Sequence, residues 1–393
     1  MTHPNPAFDD AEYADRLARV RAAMDRAGLD CLFITDPSNM GWLTGYDGWS
    51  FYVHQGVLVG PDGPPRWWGR GMDAAGALRT VSMPDACIHG YEDILVQNPA
   101  KHAMTDLCDL VRALGWDCGR LGIEEDNYYF TAVAYKTILT GLPQVELVNA
   151  TGLVNWCRAV KSQTEVTYLR RAGAIVTRMH ARIAECAEVG MRKNDLVAQI
   201  MATGIEGADG HWGDYPAIVP MAPSGRDATA PHLTWDDSPL VRDVPTFFEI
   251  AGAYRRYQCP QSRTLFLGKV PDIYRRAEDA VGVATEAVMT MARPGVRCED
   301  LARVFNGTLA AYGFHKDSRA GYSIGMSYPP DWGERTMSLR AGDHTPLQAG
   351  MTFHFMPALW LDDGGIEMTE PILITQTGAE RLCATPPGLV VKT

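Results

Sequence analysis

Residues 247–268, FFEIAGAYRRYQCPQSRTLFLG, contain two strand-like runs separated by a polar segment. The runs TFFEIAGAY and RTLFLG are rich in the aromatic and branched side chains that favour strands. Glu249 lies inside the first run, between bulky apolar neighbours. Because an unpaired charge is costly in such surroundings, we expect this glutamate either to pair with Arg255 or Arg256 or to have a function.

The segments that follow predict two helices, over residues 272–293 and 298–312, and then further strands in the runs YSIGM, TFHFMPALW and EPILIT. A further strand-like run, PAIVP at 216–220, lies before residues 247–268. Strands, then helices, then strands are typical of an α+β domain with a largely antiparallel sheet.

The first part of the chain has a different texture. Helical spacing over residues 11–28 ends at Gly28, and helices are also predicted over 100–114 and 128–141. Between them lie predicted strands at 31–35, 51–60 and 121–126, with a Pro-Ser-Asn turn after the first of these. This alternation predicts a small α/β domain.

The boundary between the two domains is predicted at residues 157 and 158, giving domains 1–157 and 158–393. Ser162 and Glu165 form a capping-box pattern that opens a long helix, which Gly190 would end. Asn194 is the expected cap of the next helix.

Composition excludes several classes of protein. The 393 residues carry a formal charge of −11 and a pI near 5.4, which argues against nucleic acid or an anionic membrane as partner. No apolar run is long enough to span a bilayer, and the start MTHPNPAFDDAEYADR lacks the pattern of a signal peptide. Nine cysteines without a CxxC pair suit a reducing compartment, so we expect a cytoplasmic protein.

Motifs for nucleotide binding, for HExxH zinc sites and for GxSxG nucleophiles are absent from the sequence. An ordered set of fragments nonetheless resembles the pita-bread family, which includes aminopeptidase P, prolidase, methionine aminopeptidase and creatinase. The fragments are Arg158-x-x-Lys161-Ser162-x-x-Glu165, APHLTW, the stretch 247–268, RPGVRCEDL, AGYSIGMSYPPDWGE, LQAGMTFHFMPALW and GGIEMTEPILIT. The resemblance implies an α/β N-terminal domain followed by an α+β C-terminal pita-bread domain.

The peptidases of this family hold two metal ions, and the resemblance implies which residues of this chain occupy the ligand positions. Their five ligand positions, which are Asp, Asp, His, Glu and Glu, fall here on Glu249, Pro260, Tyr322, Met356 and Thr369. At most two of these places keep a carboxylate, even if Glu367 replaces Thr369 through a shift in register. A divalent ion needs several converging anionic or imidazole donors, so we expect no metal and no other cofactor.

Within the family, creatinase is a precedent for a metal-free hydrolase acting on a C–N bond. His232 matches the creatinase histidine, whereas the creatinase glutamates fall on Ser262 and near Thr369. Glu249 together with RRYQCPQSRT and SYPPDWGER instead resembles the branch that opens the ring of ectoine, a cyclic amidine that carries a carboxylate. The resemblance implies catalytic roles for Glu249 and His232, with hydroxyectoine as a further candidate substrate.

Substrate contacts are expected from Tyr322, from Glu367 in preference to Glu370, and from the aromatic segment that contains Phe51, Tyr52 and His54. Aromatic faces suit a flat cation, and by resemblance to creatinase this segment reaches the active site of the other subunit of a homodimer. Each of these residues has a simpler interpretation as a packed side chain or a surface charge. Arg263 is expected to be structural, and Cys259 to be a small packed thiol.

Three other functions stay open at this point. The chain could be a creatinase-like amidinohydrolase acting on another guanidino or amidino compound. It could be an Xaa-Pro dipeptidase-like metallopeptidase with residual metal binding. It could also be a catalytically inactive pita-bread scaffold used for binding, although such a scaffold has no reason to keep an acid and a base.

Overall fold

The computed structural model describes residues 6–393, so the first five residues of the N-terminal segment lie outside the described residues. The chain divides into two compact units, Met1–Arg158 and Ala159–Thr393. Among residues 6–393, no helix combines the length and the apolar character needed to cross a membrane.

The N-terminal unit contains a mixed six-stranded sheet with the strand order β4-β3-β2-β1-β5-β6. Its strands are β1 (Cys31–Ile34), β2 (Gly56–Val59), β3 (Arg66–Arg70), β4 (Ile88–Tyr91), β5 (Gly119–Ile123) and β6 (Val145–Asn149). Its helices are α1 (Asp10–Ala27), α2 (Pro37–Thr44), α3 (Ala74–Thr80), α4 (Met104–Ala113), α5 (Ala132–Gly141) and α6 (Leu153–Arg158). Buried residues of β1, β5, α4 and α5 form an apolar core in this unit.

The C-terminal unit has the α+β composition that the sequence predicts. Its helices are α7 (Gln163–Cys186), α8 (Lys193–Glu206), α9 (Asp272–Met291) and α10 (Cys298–Ala311). Its strands are β7 (Pro245–Tyr254), β8 (Tyr257–Leu267), β9 (Gly321–Ile324), β10 (Gly333–Leu339), β11 (Thr352–Phe355), β12 (Ala358–Leu361), β13 (Gly364–Glu367), β14 (Glu370–Ile374), β15 (Ala379–Arg381) and β16 (Val390–Lys392).

These strands form a sheet β16-β8-β7, a sheet β10-β9-β11-β14-β15 and the hairpin β12-β13. All of the pairings are antiparallel except that of β16 with β8. Helices α9 and α10 cover the apolar faces of the second sheet and the hairpin.

Helix α7 begins where the sequence predicts, because the Ser162 side chain accepts from the Glu165 backbone and the Glu165 side chain accepts from the Ser162 backbone. The helix packs closely on β7 at Gly252, where a Cβ atom would lie 2.2 Å from the carbonyl oxygen of Ala172. Only glycine permits this approach, so the helix fixes the position of the strand that carries Glu249.

Four local predictions are wrong. The Pro-Ser-Asn turn is the start of α2, because Asp36 caps the helix through Ser38 N and Pro37 occupies its first turn. The strand predicted over 51–60 forms only over Gly56–Val59. The run at 216–220 forms no strand, and α8 is preceded by Arg192 rather than capped by Asn194.

Candidate active site

Glu249 occupies the middle of β7, with hydrogen-bonded chain on both sides. Ser262 of β8 is its cross-strand partner. On the other side, the backbones of Glu249 and Met221 exchange two hydrogen bonds, at 3.0 and 3.2 Å. The residue is only 3% exposed. Its carboxyl group is therefore held in a fixed place inside the unit.

Glu367, the last residue of β13, is a second buried carboxyl close to Glu249. It is 0% exposed, and its backbone exchanges hydrogen bonds with the Thr264 hydroxyl at 2.8 and 3.1 Å. Burial raises the pKa of Glu367 to about 7. Burial, reinforced by the negative charge of Glu367, raises the pKa of Glu249 well above its usual range. Two carboxyl groups so placed hold at least one proton between them near neutral pH.

Within the described residues, the oxygens of Glu367 lack the hydrogen-bond partners that buried polar groups normally have. Within residues 6–393, neither carboxyl oxygen of Glu367 makes a hydrogen bond of good geometry, and the Ser262 hydroxyl makes none either. The Ser262 hydroxyl nonetheless lies close enough to Glu367 to lower the pKa of that carboxyl, against the larger rise that burial causes. Unpartnered buried polar atoms in a native protein are typical of a site that a ligand or ordered water completes.

Lys316 supplies a positive charge to the same site. The residue is 6% exposed, and its Nζ donates to the Ser318 hydroxyl at 2.8 Å. Burial lowers the pKa of Lys316, and the negative charges of Glu367 and Glu249 oppose that shift. The site thus combines two carboxyl groups with one amine.

His354 of β11 lies against Glu249 on another side. Its Nδ1 is 4.0 Å from Glu249 Oε1 and 3.1 Å from the Tyr322 hydroxyl, and its Nε2 is 2.8 Å from the Thr369 hydroxyl. Burial, reinforced by the charge of Arg319, lowers the pKa of His354 to about 3. The imidazole is therefore neutral at physiological pH, when one of its nitrogens donates and the other accepts.

The neighbours of His354 suit the tautomer in which Nε2 donates and Nδ1 accepts. Trp332 Nε1 donates to the Tyr322 oxygen at 2.5 Å, which leaves the Tyr322 hydroxyl hydrogen available to His354 Nδ1. Nε2 then donates to Thr369 Oγ1, which also accepts from the Ser262 backbone N–H at 2.7 Å. A chain of donors thus runs from Trp332 to Thr369 and holds the imidazole edge towards Glu249.

The other charged residues of the C-terminal sheets are engaged elsewhere. Glu370 accepts from Arg263 at 2.7 Å and from Gln261 at 3.1 Å, so this buried pair is structural. Arg256 pairs with Asp214 at 3.0 Å. Glu249, in the described part of the chain, has no ion pair with Arg255 or Arg256.

His232 lies in an exposed loop next to this sheet. Thr234, two residues further on, bridges to Met221, which in turn pairs with Glu249. Among the described residues His232 makes no hydrogen bond or ion pair. Its participation in catalysis stays a prediction.

Phe51, Tyr52 and His54 belong to the N-terminal unit, where they line a cavity of about 370 Å³. The Phe51 ring packs edge-on against Tyr129 at 5.8 Å, whereas the Tyr52 side chain is 64% exposed. Burial, and then the neighbouring His102, lowers the pKa of His54 to about 4. The predicted contact of this segment with substrate in a partner subunit stays a prediction.

The positions that hold metal in the peptidases do not fit a metal here. Pro260 has no donor atom and Met356 offers only a thioether, while the Tyr322 and Thr369 hydroxyls are bound to His354. Across the described chain, no group of three or more His, Cys, Asp or Glu side chains is arranged to hold a metal ion. Glu249 is the one carboxylate left in register.

Two residues of the site were missed by the sequence reasoning. His354 lies two residues before Met356 in the strand-like run TFHFMPALW, where alternation would place both side chains on one face, so the sequence contained a signal for His354. Lys316 lies between α10 and β9, where nothing in the local pattern distinguishes it from a surface lysine.

Comparison with known proteins identifies the class of this chain. The model of the creatinase/prolidase N-terminal domain matches residues 16–160, and the model of metallopeptidase family M24 matches residues 167–376. The chain belongs to family M24, and the predicted pita-bread architecture is confirmed.

Among curated relatives, the chain is 54% identical to ectoine hydrolase of Halomonas elongata, over 98% of each chain. It is 39% identical to an uncharacterized hydrolase/peptidase of Sinorhizobium fredii, again over 98% of each chain. Of the solved structures, prolidase of Thermococcus sibiricus superposes with a TM-score of 0.84 at 16% identity, covering 97% of this chain and 99% of that one. Likenesses at such identity show the fold alone.

Proposed function

We propose that this chain is a metal-independent hydrolase that opens the cyclic amidine ring of ectoine, and of hydroxyectoine, to an N-acetyl-diaminobutyrate in ectoine catabolism. The observation that carries the proposal is the buried Glu249–Glu367 pair, with Glu249 at the position of a family metal ligand and His354 4.0 Å away. The full-length similarity to an ectoine hydrolase supports the choice of substrate.

The charge of the substrate matches this pair. An amidinium ion spreads one positive charge over two nitrogens and leaves its central carbon electrophilic. When the cation enters, its charge favours the ionised form of Glu249, while the proton that the pair holds can stay on Glu367. The Glu249 carboxylate then either attacks the central carbon or deprotonates a water molecule that does.

Hydrolysis requires one further proton transfer. In the water route, the hydroxyl group from water stays on the central carbon as one ring C–N bond breaks. In the covalent route, the same C–N bond breaks and a second step follows, in which water cleaves the bond between the carbon and Glu249. The departing nitrogen takes a proton and leaves as an amine, and the carbon keeps the other nitrogen as an acetamide. We assign this proton to His232, as the sequence predicts, with protonated Glu367 as the alternative donor inside the buried site.

Metal independence follows from the donors that remain. Nothing at the former ligand positions generates hydroxide from metal-bound water, so Glu249 must supply the basicity or the nucleophile. Substrate binding, in this proposal, also uses Tyr322, Glu367 and the aromatic segment with Phe51, Tyr52 and His54. That segment is contributed by the partner subunit of a homodimer.

We also propose a cytoplasmic location. All nine cysteines are free thiols, including Cys259 and Cys383, whose sulfurs lie only 3.7 Å apart. Thiols so close together persist in a reducing compartment.

The decisive experiment incubates chelator-treated protein with ectoine and detects the ring-opened product. Glu249→Gln is the matched inactive control. Creatine and an Xaa-Pro dipeptide serve as alternative substrates, and turnover of either one in place of ectoine would replace this proposal with the corresponding activity.

A further inference from the structure

Lys316 is a buried amine without a carboxylate partner. Within the described residues no carboxylate oxygen lies within 4.0 Å of its Nζ, and its one side-chain hydrogen bond goes to Ser318. An ammonium group has three N–H donors, and a buried ammonium is costly unless it is paired. Lys316 thus has donors to offer to a ligand.

The amine and the two carboxyl groups lie along one wall of the site. Lys316 Nζ is 6.0 Å from the centre of the Trp360 ring, and that ring packs against Phe247 at 5.8 Å. Phe247 precedes Glu249 by two residues on β7, so both side chains point to the same face. Trp360 follows Ala358, the cross-strand partner of Glu367, by two residues on β12.

One amine and two carboxyl groups therefore lie in the same buried site, and the amine forms no ion pair with either carboxyl group. A ligand with an anion at one end and a cation at the other would satisfy both. Ectoine has this distribution of charge, because its ring carries an amidinium and a carboxylate.

We propose that Lys316 binds the carboxylate of the substrate, and that the site thereby selects cyclic amidines that carry a carboxylate over those that do not. This assignment rests on the proposed function. It makes Lys316 a specificity-determining residue, separate from the carboxyl groups that act on the ring.

The test compares ectoine with 2-methyltetrahydropyrimidine, which is the same ring without the carboxylate. The wild-type kcat/KM should favour ectoine, and Lys316→Met should lower that preference by ~10²-fold, because a buried charge pair is lost. Lys316→Arg, which keeps the charge, should retain most of the preference. Lys269→Met removes an exposed lysine and should change nothing.

The ratio of the two substrates separates binding of the carboxylate from damage to the carboxyl pair. Loss of the lysine charge also changes the pKa values of Glu249 and Glu367, but that change lowers the rate of hydrolysis of both substrates alike. A folded Lys316→Met with an unchanged ratio would overturn the assignment. If that variant does not fold, a wild-type enzyme that hydrolyses both rings equally well would overturn it. Wild-type protein that opens neither ring would instead refute the proposed function, and the assignment with it.

Discussion

The Nδ1 atom of His354 lies 4.0 Å from Oε1 of Glu249, and both side chains are buried. The pKa of the histidine is lowered to about 3, while the pKa of the glutamate is raised. Both shifts favour the neutral forms, because burial penalises either charge. A cation beside Glu249 would offset the penalty on the carboxylate and favour its ionised form.

Glu249→Gln should abolish ring opening. The substitution keeps the shape and one acceptor oxygen but removes the charge and the basicity. General-base or nucleophilic assistance contributes ~10²-fold or more, equivalent to about 3 kcal/mol. The measurement is the rate with saturating ectoine, with a thermal melt to confirm folding.

The control for that experiment is Glu188→Gln, at an exposed position outside the site. A Glu249→Gln rate within about threefold of the wild-type rate would show that this carboxylate lacks the assistance expected of a base or nucleophile. Glu367 would then be the next candidate.

Glu367→Gln should change how stability depends on pH. The folded protein keeps the Glu367 proton up to about pH 7. In the unfolded protein the pKa of this group has its ordinary value of 4.5, so the proton is released at lower pH. In that window the folded state binds more protons, so stability falls as pH rises from about 4.5 to 7. The glutamine variant should lose this fall, which is on the order of 1–3 kcal/mol. Denaturant unfolding at several pH values measures it, and parallel curves for the two proteins would contradict the shift.

His232→Ala should slow hydrolysis severely, since protonation of the departing nitrogen would then depend on solvent. His354→Asn should also slow it, because the imidazole that borders Glu249 is lost. The rate with saturating ectoine, together with a thermal melt, measures both effects. If His232→Ala keeps the wild-type rate, the proton comes from elsewhere, with Glu367 as the candidate.

Chelators should leave activity unchanged, and the purified protein should contain no stoichiometric transition metal. The reason is the loss of donors at Pro260, Tyr322 and Met356. Elemental analysis together with activity after chelator treatment tests this. Activity that follows the occupancy of a bound metal would restore the peptidase interpretation.

Two inactive variants should complement each other in a mixed dimer. One carries Glu249→Gln, and the other carries Phe51→Ala with Tyr52→Ala. If each site borrows the aromatic segment from its partner, co-expression creates one dimer site with both elements intact, and activity returns. Light scattering that shows an active monomer, or co-expressed variants that recover no activity, would contradict the shared site.

The fold was predictable because its signals are local. The capping box at Ser162 and the glycine after α1 determine where helices begin and end, and both patterns are visible in the sequence. The turn predicted at Pro37 was wrong because proline serves both turns and first helical turns, and Asp36 decides between them by capping.

The site was predictable only in part. Glu249 was recognisable because a charge within an apolar strand is unusual. The proximity of Lys316 to Glu249 and Glu367 arises from packing between segments far apart in the chain, which no local pattern contains. Likewise, the break between β13 and β14 at residues 368–369 separates Glu367 from Glu370, and no local pattern in the sequence marks that break.

The hydrogen bonds of Thr369 constrain how this lineage can change. Its hydroxyl binds both His354 and the Ser262 backbone, at a position where peptidases of the family have a glutamate. Placing a glutamate there alone would disturb the short-side-chain acceptor on which two buried groups depend and would add a third carboxyl beside a crowded pair. That single substitution should therefore destabilise the fold unless further donors or a cation arrive with it.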